Sequence, residues 1–219
     1  MPHAAARRHS FAGVADAAHF TYLALGDSTG IGVGASHGGG YVERLYRRLL
    51  QLRPGALLEN LCQSGATSAD VRDDQVARAR RMTASVVTLG IGINDVTWQL
   101  PEESFAVNLE EIAVAIAALR APVVIMNIPD LALAPVAARY DTSLYERRIE
   151  VFNEHVEGTA ARHHFTLVDL FTATKRLRGR TGLFCRDGFH PSAEGYEEWA
   201  AQLWPAVRPL LSPSADARP

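Results

Sequence analysis

Two cysteines in 219 residues are too few for a disulfide-built scaffold, so a hydrophobic core must carry the fold. No apolar run approaches the ~20 residues that cross a bilayer, and no integral membrane segment is expected. Neither sign of charge dominates. The 22 Lys and Arg stand against 24 Asp and Glu, which removes the global attraction expected of a nucleic-acid binder. No His, Cys, Asp and Glu set has metal-ligand spacing, so neither a metal nor another cofactor is expected. No internal repeat and, outside the termini, no low-complexity region interrupts the chain.

What remains is an ordinary globule, 47% hydrophobic and 21% charged, long enough for one domain with a substantial core. Residues 1–18 contain Arg7 and Arg8, but Ala, His and Asp break up the rest of the segment, which does not read as a secretory signal. The expectation is a loosely ordered arm over 1–18, one globular domain over 19–211 and a frayed tail over 212–219, in a cytoplasmic protein.

Along the chain, short apolar runs alternate with longer amphipathic ones. Residues 20–25, 56–62, 85–89, 122–126 and 165–170 read as strands, and the β-branched run 85–89 reads as buried on both faces. Helical spacing appears over 41–52, 68–82, 102–119, 143–163 and 192–203. Strands separated by helices call for right-handed crossovers and a parallel sheet covered on both sides. The predicted fold is α/β, a three-layer α/β/α sandwich with a five-stranded parallel sheet in flavodoxin-like order. The stretch 128–140, with Pro129 and Pro135, reads as a loop.

In such sheets ligands bind beyond the carboxyl ends of the strands, and four chemically distinct islands fall there. Ser28, in Gly26-Asp27-Ser28-Thr29, offers a hydroxyl where the first strand ends. A hydroxyl is a poor nucleophile until a base takes its proton. His190, in Asp187-Gly188-Phe189-His190-Pro191, is the best candidate, because one tight turn can bring Asp187 to its Nδ1 and fix the tautomer. Attack on a carbonyl generates an oxyanion, which the amides of Ser28 and Gly65 and the side-chain amide of Asn94 could meet. The expected catalytic residues are Ser28, Asp187 and His190, with an oxyanion hole of Ser28, Gly65 and Asn94. Cys62 and Cys185 are expected as reduced thiols, although each lies within three residues of a candidate site residue and a bridge stays open.

Gly26-Asp27-Ser28, Gly65, Gly92-Ile93-Asn94-Asp95 and Asp187-Gly188-Phe189-His190 resemble the four blocks of the GDSL, or SGNH, hydrolases, a likeness that runs from about Tyr22 to about Trp204. The resemblance implies a serine hydrolase that cleaves carboxylic esters through an acyl-Ser28 intermediate. Thr29 departs from the leucine of the naming motif, at a position the catalytic roles do not use.

Competing readings are weaker. Gly26 to Gly30 also fits the nucleophile elbow of the α/β-hydrolases, but that fold needs several strands first and only one precedes Ser28. Gly30, Gly32 and Gly34 suggest a phosphate loop, yet more loop comes where a helix should begin. A thioesterase, a lysophospholipase or a carbohydrate deacetylase would use the same machinery, and a catalytically silent ligand-binding domain would keep only the fold. His155, His163 and His164 read as solvated, and the basic segment Lys175, Arg176, Arg178, Arg180 and Arg186 as a solvated loop. Ile31, Val33, Trp98, Leu131, Leu133, Phe184 and Phe189 are candidates for an acyl pocket, and the lack of a lid-sized insertion points to an open cleft for short-chain esters of small molecules.

Overall fold

The β-branched and apolar runs become the strands β1 (Thr21–Gly26), β2 (Leu57–Asn60), β3 (Val86–Gly90), β4 (Val123–Met126) and β5 (Thr166–Val168). The computed structural model describes residues 20–139 and 141–211, so the arm and tail expected at the termini lie outside the described residues. All neighbouring strands pair in parallel in the order β2-β1-β3-β4-β5, the flavodoxin-like arrangement expected. β1 and β3 are buried at every position, as central strands covered on both faces should be. β2 and β5 form the edges and are partly exposed.

The helices, in chain order, are α1 (Ser28–Ile31), α2 (Tyr41–Leu52), α3 (Ser68–Asp70), α4 (Val76–Ala79), α5 (Ile93–Thr97), α6 (Glu102–Ala117), α7 (Thr142–Arg162), α8 (Leu170–Lys175) and α9 (Ala193–Val207). α2 packs on α9, while α6 packs on α7 and on α3 and α4, giving the two outer layers. Helix starts follow capping chemistry. Thr67 and Asp70 form a reciprocal capping box at α3, Asp141 accepts from the Ser143 and Leu144 amides at α7, and Ser192 accepts from Gly195 at α9.

Several boundaries differ from the sequence reading. The predicted helix 68–82 is interrupted by a π-helical turn, Val71–Gln75, between α3 and α4. The predicted strand 165–170 pairs only over Thr166–Val168, because the Asp169 carboxylate caps α8 through the Thr172 amide. The predicted loop 128–140 contains 3₁₀ turns at Leu131–Leu133 and Pro135–Arg139. α9 runs on past Pro205, whose missing N–H leaves one carbonyl of the last turns without a helical donor.

The core gathers Tyr22, Leu25, Leu45, Leu89, Leu109 and Phe152, all essentially solvent-free. The Phe105 and Phe152 rings tilt together at 4.7 Å across the α6–α7 side. Among the described residues no helix is long and apolar enough to cross a membrane.

Candidate active site

The register Gly26↔Gly90 ends β1 and β3 side by side, so the loops after them leave the sheet as neighbours. The Gly26 end is fixed by Gln75, whose side-chain amide accepts from Gly26 N and donates to Gly26 O, both at 2.8 Å. Gln75 is fully buried and reaches this point from the π-helical turn, a type of helix irregularity often found beside functional sites. Asp27 then caps α1, accepting from the Thr29 amide at 2.9 Å and the Thr29 hydroxyl at 2.7 Å. Burial pushes the Asp27 carboxyl up to about 6, against the opposing hydrogen bonds from Thr29. Thr29, idle in the catalytic roles, therefore has a structural use.

Ser28 opens α1 with its hydroxyl 3.1 Å from His190 Nε2. The other ring nitrogen, Nδ1, lies 2.7 Å from Asp187 Oδ2. Asp187 Oδ1 also accepts from the amides of Phe189 at 2.7 Å and His190 at 2.9 Å, so one carboxylate binds both the ring and the backbone of the turn. The loop is closed by a bridge between Phe184 and Pro191 and by the Cys185 amide donating to the His190 carbonyl at 2.8 Å. Partial burial works to raise the Asp187 carboxyl. The hydrogen bonds from His190, the two amides and the Cys185 thiol outweigh it and hold the group well below the usual carboxylate range.

On the other side, Gly65 sits at φ +77°, a backbone conformation that L side chains avoid. Among the described residues neither the Ser28 nor the Gly65 amide donates to a protein acceptor, so both remain available. Asn94 donates one Nδ2 hydrogen to Ala66 O at 2.8 Å, next to Gly65, and lines an open groove. This wall is knitted from within. The Asp95 carboxylate accepts from the Ser68 amide at 3.0 Å and its hydroxyl at 2.5 Å. Asn108 donates to the Ser68 hydroxyl at 3.0 Å and accepts from Arg72. Arg148 donates to the carbonyls of Asp95, Val96 and Leu100 at the end of α5, with its guanidinium 4.6 Å from the centre of the Phe152 ring.

All five sequence-predicted site residues thus lie at one rim of the sheet, Ser28 and Asn94 in the first turns of α1 and α5 and Gly65, Asp187 and His190 on loops, with a hydroxyl, an imidazole and a carboxylate in one hydrogen-bonded line. A model of the GDSL-like lipase/acylhydrolase family matches residues 24–198. The chain belongs to that family. Esterase TesA of Pseudomonas aeruginosa is 27% identical over 195 residues, covering 89% of this chain and 91% of TesA. A crystal structure of TesA superimposes with a TM-score of 0.73 at 25% identity, covering 87% of this chain and 99% of that one. A catalytic mutant of Axe2, an acetylxylan esterase from Geobacillus stearothermophilus, shares the fold at a TM-score of 0.69 and 20% identity, with 91% and 97% of the two chains covered.

As a member of the GDSL family the chain is a carboxylester hydrolase. The glycine-rich segment after β1 packs tightly against protein. A Cβ on Gly30 would stand 2.3 Å from Cys62 Sγ, so this glycine is required by a close approach and no phosphate need be invoked. Cys62 and Cys185 are free thiols. His155 and His163 are not simply solvated. Their Nε2 atoms lie 2.7 Å from Glu102 and Glu110 and tie α7 to α6. In the basic segment, Arg178 approaches Asp130 and Glu146, and Arg180 pairs with Glu198 at 2.9 Å.

Of the residues expected to line an acyl pocket, Trp98, Leu131 and Phe189 border the groove beside Asn94, while Leu133 and Phe184 face a separate inner cavity. Ile31 and Val33 border neither, and Ile31 is 43% exposed. Sequence reasoning missed Gln75, Ser68, Asp95, Asn108 and Arg148. Only Asp95, adjacent to Asn94 in its island, carried a signal that could have found it.

Proposed function

We propose that the protein cleaves short-chain carboxylic esters through an acyl-Ser28 intermediate, with Ser28, His190 and Asp187 as nucleophile, base and acid. The observation that carries this reading is the line from Ser28 Oγ through His190 to Asp187, with contacts of 3.1 and 2.7 Å. Asp187 accepts from Nδ1–H, which leaves Nε2 as the acceptor facing the hydroxyl. His190 takes the Ser28 proton as Oγ bonds to the acyl carbon, and the carbonyl oxygen becomes an oxyanion. The unengaged amides of Ser28 and Gly65, with the second Nδ2 hydrogen of Asn94, are the donors for that charge.

Collapse of the adduct breaks the bond to the leaving oxygen, which receives the proton from His190. Water then enters, gives its proton to Nε2 and attacks the acyl carbon, and Ser28 leaves with that proton as the acid is released. The groove beside Asn94 has a volume of about 880 Å³ and is bordered by the exposed Trp98 and Leu144, room enough for an ester to reach the donors. Two free thiols fit a reducing, cytoplasmic setting, and the single domain 19–211 carries the whole site.

A panel of p-nitrophenyl esters and matched thioesters tests the reading. It expects turnover highest on acetate to hexanoate esters and abolished in Ser28→Ala. Turnover that survives in Ser28→Ala would overturn the assignment, and a maximum at about twelve carbons would overturn the preference for short chains.

A further inference from the structure

Two spaces meet at one pair of side chains. The open groove passes Asn94, Trp98, Leu144 and Arg148. On the far side, beside His190, lies a mainly apolar cavity of about 50 Å³ walled by Ile93, Leu183, Phe184 and Trp199. Leu131 and Phe189 border both. Leu131 is buried on its 3₁₀ turn. Phe189 is half-buried, its ring edge-on to His190 with centroids 5.1 Å apart. Protein interiors seldom keep apolar space larger than a water molecule, and this one is retained directly against a candidate catalytic histidine.

We propose that Leu131 and Phe189 form a partition that sets the length of acyl chain the enzyme accepts, by closing the groove off from an inner apolar cavity that could hold further methylenes. The inference rests on the hydrolase reading above and deepens it. An acyl group on Ser28 lies between the oxyanion donors and His190, and the groove beside Asn94 takes its first carbons. The wall that stops a longer chain from turning inward past His190 is the Leu131–Phe189 pair. Position 29 contributes to the space behind it. Thr29, where the family's naming motif carries the longer leucine, borders the inner cavity while its hydroxyl is held by Asp27. The cavity is finite. Asp130, buried and 3.7 Å from the Arg178 guanidinium, supplies a polar boundary that an alkyl chain would not pass.

Each methylene moved from water into such a space improves kcat/KM by roughly fourfold, so opening the partition for two of them multiplies preference by roughly tenfold or more. The test is kcat/KM on p-nitrophenyl esters from two to twelve carbons for wild type, Leu131→Ala and Phe189→Ala, with circular dichroism and a melting curve for each. The expected result is a rise of about tenfold in the ratio of eight-carbon to four-carbon ester for Leu131→Ala, carried mainly by KM. Phe189→Ala moves the ratio the same way, with a uniform fall in kcat because the ring also borders His190. A folded Leu131→Ala protein whose ratio is unchanged or lower would overturn the inference. Should Leu131→Ala fail to fold, Leu131→Val and Phe189→Leu give the same readout at smaller amplitude, and an unmoved ratio in both overturns it. Wild-type protein inert toward the whole panel would overturn the hydrolase reading as well, whereas an active wild type with unmoved ratios overturns this inference alone.

Discussion

Asp187 and Asp95 are both carboxylates beside the candidate reacting groups, yet they are held by opposite means. Asp187 is 44% exposed and binds close by in sequence, to the amides of Phe189 and His190, the His190 ring and the Cys185 thiol. Asp95 is 1% exposed and reaches 27 residues back along the chain, to Ser68. Hydrogen bonds hold Asp187 below the usual carboxylate range, while burial pushes Asp95 up. The carboxylate of the base side is thus held by local hydrogen bonds in a surface turn, and that of the donor side is part of the packed interior. Activity and stability should separate on the first and fall together on the second.

The largest expected effects lie at the base and at the hydroxyl it faces. Ser28→Ala and His190→Asn should each lower kcat by ~10⁴–10⁶ in an ester assay, with melting temperatures close to wild type. A midpoint that falls in step with activity would erase the contrast. Asn94→Ala comes next, with a loss of ~10²–10³ in kcat. Because Asn94 also holds the Ala66 carbonyl in a buried loop, it should lose about 1 kcal/mol of stability, measurable by denaturant titration.

Asp95→Ala leaves the Ser68 amide and hydroxyl without their acceptor inside the protein. It should cost about 3 kcal/mol, seen as a lower denaturant midpoint, and lower kcat through the Gly65 loop. Full stability in Asp95→Ala would break the comparison from the other end.

Asp27 sharpens it, being a buried carboxylate on the nucleophile side. Its folded value of about 6 lies above the ordinary 3.8, so the unfolded chain releases this proton first as pH rises. The contribution to stability is present below about pH 4, is lost as pH climbs to about 6, and is level above that. Asp27→Asn keeps an oxygen for Thr29 and removes the slope. The variant should exceed wild type by on the order of 2 kcal/mol at pH 8 and converge with it near pH 4. Melting curves at the two pH values decide this, and a gap that does not narrow in acid would contradict it.

The sheet is legible because its central strands are apolar and β-branched runs without polar alternation, and α6 because Phe105, Leu109, Ile112 and Ile116 recur at helical spacing. The base side is legible for a related reason. The Asp187–His190 contact spans three residues, and local chemistry can be read from local sequence. The donor-side support is not. Ser68 finds Asp95, Gln75 finds Gly26 and Arg148 finds the end of α5 only once the sheet has brought distant segments together. α1 and α5, of four and five residues, are too short to show a period. Thr29 looks idle in the sequence because nothing in the motif marks Asp27 as its partner.

The central claim is that the Ser28 hydroxyl is made nucleophilic by the His190–Asp187 pair. Incubation with an alkyl phosphonate ester, with intact-mass and peptide mass spectrometry as the readout, tests it most directly. The account predicts one adduct, on Ser28, absent in Ser28→Ala and strongly slowed in His190→Asn. A folded wild-type protein that stays unmodified, or an adduct carried by any other residue, would contradict it.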